Sequence, residues 1–169
     1  IRPIISNAGG VLSGTSKYLD FLLQPYMKKI PSYIRDSDHL LDMLDNVEVP
    51  EGARLITFDV VSMYTSIKLD VAIQAFEKAF SGNPLQRRII EGLKLVMYNN
   101  FFTFKDNLYL QLQGTAMGTS VAPAFASIYL GIFEEKVMSQ FADHISLAKR
   151  FIDDGFMIWH DRDKPFAIK

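Results

Sequence analysis

Three carboxylates stand out in this sequence for where they sit. Asp153 and Asp154 are adjacent and lie between the apolar, β-prone runs Arg150-Phe151-Ile152 and Phe156-Met157-Ile158-Trp159, while Asp59 follows the run Arg54-Leu55-Ile56-Thr57-Phe58. Neighbouring Asp side chains repel, but at an exposed turn the repulsion is screened and costs little, so the pair alone is compatible with an ordinary polar turn. An acid near the end of an apolar strand is expensive to bury unpaired. It is a cap, the partner of an Arg or Lys, or a metal ligand, and the run itself does not choose among the three.

The elements around these residues follow from pattern. Arg150 to Trp159 is expected to form a hairpin with the acids at its tip, because two apolar runs flank a short Asp-rich connection with Gly155 beside it. Arg54 to Val61 is expected as a buried strand, turning at Ser62 to Ile67 into a helix from Leu69 to Phe80. Upstream, Ile4 and Ile5 suggest a short strand, and Asn7 to Gly10 with Ser13 to Ser16 a flexible Gly/Ser loop. Helices are expected from Ser16 to Ile30, kinked by Pro25, and from Ser37 to Val47, capped by Asp36 or Ser37. Pro84 opens another helix to about Tyr98, and Asn100-Phe101-Phe102-Thr103-Phe104 with Leu108-Tyr109-Leu110-Gln111-Leu112 form a second hairpin around Lys105-Asp106-Asn107. A long helix is expected from Val121 to about Phe141, with Ser120 as its cap and Pro123 in its first turn.

Composition bounds what this scaffold can be. The chain has 169 residues, 49% hydrophobic and 12% aromatic, a globular composition able to bury roughly 70% of its unfolded surface in one domain. Lys and Arg number 18 against 19 Asp and Glu, for a formal net charge of -1, so any polyanion-binding surface must be local. The absence of cysteine excludes disulfides, thiolate zinc sites and a cysteine nucleophile. No apolar run approaches the ~18 to 20 residues of a membrane span, and there is no signal-peptide pattern, so a soluble protein is expected, and the lack of cysteine is compatible with an intracellular compartment. The sequence opens on Ile1 and ends at Phe166-Ala167-Ile168-Lys169, where an apolar pattern restarts, and on that account is expected to be a piece of a longer polypeptide.

Between the carboxylates lies the loop Gln113-Gly114-Thr115-Ala116-Met117-Gly118-Thr119-Ser120, leading into Val121-Ala122-Pro123. It lacks the Lys of a Walker loop. Gly118-Thr119-Ser120-Val121-Ala122 comes close to a Gly-x-Ser-x-Gly nucleophile elbow, with His144 and His160 downstream as bases, but ends in Ala and is not framed by a parallel α/β pattern. A Gly-hinged connection between strand and helix is the plain alternative.

Taken in order, these stretches resemble the palm of reverse transcriptases. Arg2-Pro3-Ile4-Ile5-Ser6 is similar to a fingers motif, Phe58-Asp59-Val60-Val61-Ser62-Met63-Tyr64 to the first acidic motif, Gln113-Gly114 through Pro123 to the glutamine-glycine motif, and Phe151-Ile152-Asp153-Asp154 to the paired-Asp motif. The wording of Gly114 to Ser120 and of Phe151 to Gly155 is most similar to the Penelope-like retroelements, which are related to telomerase. The preceding fingers Lys motif, the later palm Lys, the primer grip, the thumb and an endonuclease domain have no counterpart here.

The resemblance implies an α+β fold over 1–169, with partial fingers and connecting helices in 1–50 and a palm core in 51–169. Its antiparallel sheet would join the Leu55 to Val60 strand to the Phe151 and Phe156 strands, backed by the helices carrying Leu93 and Ala122. It implies RNA-directed DNA synthesis, with an RNA template, a DNA primer and dNTP as partners, further domains of the parent polypeptide, and a nuclear location. Asp59 and Asp153 would be metal ligands together with the Val60 carbonyl, and Asp154 the third, accessory carboxylate. The cofactor would be two Mg²⁺ ions, replaceable by Mn²⁺, because Mg²⁺ takes oxygen ligands, keeps water and binds through few carboxylates plus substrate phosphates. Arg2 would meet the triphosphate, Tyr64 would gate against a 2′-hydroxyl, and Gln113 and Gly114 would line the nucleotide pocket. Taken singly, Tyr64 reads as core, Arg2 as a terminal charge and Gln113 as a turn residue. The competing expectations are a catalytically silent palm remnant that binds nucleic acid or a partner chain and, more distantly, a serine hydrolase. Without a thumb, the piece alone is expected not to extend a primer.

Overall fold

Leu55, Thr57 and Asp59 alternate with Arg54, Ile56 and Phe58, and that alternation becomes strand β1 (Arg54–Asp59), exposed and part-buried by turns. The structure is a computed structural model that describes residues 9–160. The expected Ile4-Ile5 strand and Arg2 lie outside the described residues.

In chain order the elements are α1 (Ser13–Met27), α2 (Ser37–Leu44), β1, α3 (Met63–Ser66), α4 (Leu69–Ala79), α5 (Gln86–Tyr98), β2 (Phe101–Phe104), β3 (Asn107–Leu110) and α6 (Ala122–Met138). A 3-10 segment (Ser139–His144) and strands β4 (Ile145–Phe151) and β5 (Asp154–Trp159) complete them. They cluster into two compact units. Among the described residues, the first contains those up to Met27 and Ser62–Ile132, the second Lys28–Val61 and those from Phe133. Among the described residues, no helix is long and apolar enough to cross a membrane.

The first unit is helical. Helix α5 presents Ile89, Leu93 and Val96 at helical spacing, all buried, and packs against α1 and α4. Phe76 of α4 stacks on Phe125 with ring centroids 4.9 Å apart and on Phe80 at 5.7 Å. Helix α1 starts earlier than its Gly/Ser composition predicts, because Ser13, Gly14 and Thr15 already belong to its first turn. Ser16, buried, is used rather than loose: its Oγ accepts the Val121 amide at 3.1 Å, satisfying one of the donors that the start of α6 leaves open. The hairpin of β2 and β3 closes through Lys105 and Asp106, both at positive φ, so Asn107 is a strand residue paired with Phe104 rather than part of the turn.

The second unit carries a 3-stranded antiparallel sheet in the order β1-β5-β4. Beyond β4 the segment around Tyr33 adds a parallel bridge to Arg150, with the Arg150 amide donating to the Ser32 carbonyl at 2.6 Å and the Ile34 amide to the Arg150 carbonyl at 3.2 Å. Helix α6 ends at Met138, short of the predicted Phe141. No Gly or Pro marks that stop, and the chain tightens there into the 3-10 segment.

Helix α2 ends at Leu44 rather than Val47 and is capped by Asp36, whose Oδ1 accepts the His39 amide at 2.9 Å. The hydrogen bond from the Arg35 guanidinium, then that from the His39 amide, hold the Asp36 carboxyl below the usual aspartate range. A depressed folded-state value means that the cap stabilises fully above the unfolded aspartate pKa near ~4 and is lost as pH falls through the lower folded value. The His39 amide is therefore expected to keep its hydrogen-exchange protection down to about pH 4 and to lose it below. In Asp36→Ala it should be unprotected already at neutral pH. Equal protection in both proteins would mean that the cap is not formed.

Candidate active site

Register brings two of the three predicted carboxylates together. Asp59, the last residue of β1, is directly opposite Asp154, the first of β5, and opposed residues of an antiparallel pair project from the same face. Both are exposed. They share that face with Thr57 and Phe156 in the next row, and beside Phe156 stands Lys149 of β4. Burial pushes the Lys149 ammonium below its ordinary value, and its Nζ donates to the Pro31 carbonyl at 2.6 Å.

Asp153 reaches the site differently. The hairpin turn is Ile152-Asp153, because Phe151 pairs with Asp154, so the tip sits one residue earlier than the Asp-Asp-Gly run suggests. The Asp153 carbonyl accepts the Val60 amide at 2.9 Å, which ties the turn to the residue after β1 and sets the Val60 backbone beside the acidic pair. Ile152 has φ 55°. Positive φ confined to the first of two loop residues is the type II′ pattern, a position suited to Gly; for a β-branched residue it costs on the order of 1–3 kcal/mol.

Under the turn lies a buried ionic knot. Arg150 is 4% exposed. Its Nε and Nη2 grip both carboxylate oxygens of Glu134, the Nη2 contact at 3.1 Å, while Nη1 donates to the Ile152 carbonyl at 2.6 Å. Ser32 Oγ adds a 2.5 Å hydrogen bond to Glu134 Oε2. Arg150, Glu134, Ser32 and the strained Ile152 are site residues that pattern reading missed, and the one available signal was a charged Arg inside an apolar strand.

On the other face of the sheet, Gly155 is flanked in register by Phe58 and Arg150. A Cβ at Gly155 would fall inside the Phe58 ring, so Gly is required here to let that ring cross β5. The carboxylate face opens on a cleft of ≈ 680 Å³ lined by Asp59, Asp154, Thr57, Phe156 and, from the start of α2, Asp36 and Leu40. Among the described residues, no group of three or more His, Cys, Asp or Glu side chains is arranged to hold a metal ion. What the sheet assembles is an open, all-oxygen pair with a third acid in the adjoining turn. That donor set suits a hard cation that keeps most of its water and takes further ligands from phosphate, and does not suit zinc.

The predicted nucleotide-site residues of the first unit also meet. Gly114, at φ 74°, approaches the backbone of α3 so closely that a Cβ there would lie 2.5 Å from the Tyr64 carbonyl and 2.6 Å from the Thr65 Cα. The Gly114 amide donates to Ile67 at 3.1 Å and the Thr115 amide to Tyr64 at 2.8 Å. Tyr64 itself is half-buried. Gln113 is exposed, and its carbonyl accepts from Gln111 Nε2 at 2.8 Å. Gln113, Thr115, Met117 and Phe102 line a cleft of ≈ 300 Å³, and among the described residues the buried Thr115 Oγ1 has no hydrogen-bond partner.

No protein-family profile and no curated protein matches this chain. Solved structures do. A telomerase from Candida tropicalis truncated from its C-terminal domain superposes with a TM-score of 0.66 at 16% identity, covering 93% of this chain and 36% of that one. A telomerase from Candida albicans, in complex with a TWJ fragment of telomeric RNA, gives 0.69 at 15% identity over 92% of this chain and 31% of that one. The likeness shows a shared fold of helices and antiparallel sheet, and the chain spans about a third of the length of these neighbours.

Proposed function

We propose that this chain carries the catalytic core of an RNA-directed DNA polymerase, of the kind found in Penelope-like retroelements, acting on an RNA template, a DNA primer and dNTP. The observation that carries the reading is the pairing of Asp59 with Asp154 at one end of the sheet, with Asp153 in the turn beside them. The likeness to telomerases, one of them solved with an RNA fragment, supports a nucleic-acid partner.

Asp59, Asp153 and the Val60 carbonyl would hold Mg²⁺, with Asp154 as the accessory acid, and the metal would stabilise the attacking and leaving oxygens of phosphoryl transfer. The protein contributes position. Opposed carboxylates repel until a cation joins them, so the sheet stores an arrangement that is unfavourable when empty. In the first unit Tyr64 would stand against the sugar and Gln113 with Gly114 would line the nucleotide pocket, while Arg2 would meet the triphosphate. A second reading, a palm that binds nucleic acid without catalysis, draws on the openness of the carboxylate arrangement.

The deciding experiment is an Mn²⁺ titration of the chain, followed by electron paramagnetic resonance, beside template-directed extension by a polypeptide carrying it. Binding that disappears in Asp59→Asn is expected; Mn²⁺ binding indifferent to all three Asp residues would leave only the silent reading. Sugar choice gives an independent check. Tyr64→Val is expected to raise ribonucleotide incorporation relative to deoxyribonucleotide, because the ring would no longer fill the space of a 2′-hydroxyl. An unmoved ratio would make Tyr64 a packing residue only.

A further inference from the structure

We infer that Arg150 is the positioning residue of the acidic turn: its guanidinium, braced by Glu134 and Ser32, holds Ile152 in the left-handed conformation that presents Asp153 beside Asp59. The inference rests on the carboxylate reading above and adds to it the device that fixes the geometry.

A β-branched residue at φ 55° returns to the extended region unless something on each side forbids it. Here the ladder pair of Phe151 with Asp154 fixes the chain before it, and two hydrogen bonds fix the peptide groups after it. The Ile152 carbonyl accepts Arg150 Nη1 at 2.6 Å, and one residue later the Asp153 carbonyl accepts the Val60 amide at 2.9 Å. A carbonyl clamp works only if the donor cannot swing away, and Arg150 cannot. Its two other nitrogens bind Glu134, whose Oε2 also accepts from Ser32 Oγ, and the backbone of Arg150 is bonded on both sides to the Ser32–Ile34 segment. Lys in this place would offer one nitrogen where three are used. A buried pair that served stability alone could be replaced by apolar side chains at little cost, and would have no reason to spend one of its donors on a strained turn.

The test removes the clamp without leaving a lone buried charge, through the paired change Arg150→Met with Glu134→Met, in the natural background and in Ile152→Gly, which adopts positive φ without strain. Hydrogen exchange of the Val60 amide reports whether Asp153 is still in place. Exchange is expected to accelerate about tenfold on removing the clamp with Ile152 present, and by less than about threefold in the Ile152→Gly background. No acceleration, or an equal acceleration in both backgrounds, would overturn the inference, because a merely structural ion pair is blind to residue 152. Should the paired change not fold, Arg150→Lys carries the same comparison, with the same expected difference between backgrounds. Mn²⁺ affinity of the same proteins is expected to follow the exchange. Absence of Mn²⁺ binding by the unaltered chain would count against the carboxylate reading alone and leave the exchange comparison to decide the clamp.

Discussion

Asp59→Asn is expected to lower primer extension by a polypeptide carrying this chain at least ~10²-fold, a loss of about 2.7 kcal/mol or more of transition-state stabilisation. Asn keeps the size and strand register of Asp and removes only the charge, so the loss would measure the carboxylate rather than the fold. Stability should move the other way. Asp59 faces Asp154 directly across β1 and β5, and like charges in that position destabilise an antiparallel pair. In metal-free buffer Asp59→Asn is therefore expected to melt no lower than the unaltered chain, and to rise by about a degree or more at low salt. Extension within a few-fold of the unaltered protein would remove Asp59 from the chemistry. A fall in melting temperature would mean that the opposed pair is not formed.

Gly114→Ala should be the most damaging single methyl group in the first unit. The residue needs positive φ, which costs a non-Gly side chain about 1–2 kcal/mol, and its Cβ would meet the Tyr64 carbonyl and the Thr65 Cα, backbone atoms that cannot rotate aside. Overpacking of this kind typically adds about 1–3 kcal/mol, so a total of ~2–5 kcal/mol and a melting temperature lower by roughly 5–20 °C are expected. Thermal unfolding followed by circular dichroism checks this. A shift under about 2 °C would show that α3 does not approach the loop so closely. Gly92→Ala is a useful contrast, since the atoms it would meet belong to the Leu19 side chain rather than to backbone.

What could be read in advance follows from how local the cause is. Strand β1 and the β4-β5 hairpin announce themselves by apolar runs around short polar connections, and α5 by the spacing of Ile89, Leu93 and Val96. The exact turn did not. Asp-Asp-Gly carries turn chemistry and Ile152 carries strand chemistry, yet the chain turns at Ile152-Asp153 because a guanidinium from β4 and an amide from the end of β1 hold the turn there. Ser13 to Ser16 looked like loop for a related reason. What makes Ser16 worth burying is an amide far along the chain at Val121, and no local pattern contains it. Of the candidate site, Asp59, Asp153 and Asp154 were legible because carboxylates beside apolar strands are conspicuous. Arg150, Glu134 and Ser32 were not, since a buried ion pair is defined by its partner and a single sequence does not name one.

The ring of Phe58 lying over Gly155 places a rule on how this chain can vary. Neither position is free alone: a side chain at 155 evicts the ring, and a small residue at 58 leaves a hollow above bare backbone. A compensated exchange, with a small residue at 58 and Ala or a larger residue at 155, refills the same volume from the opposite strand. Among descendants of this sequence the two positions should therefore change as a pair or not at all, and since each directly precedes or follows an acid of the opposed pair, drift at either would be felt first as a misaligned carboxylate.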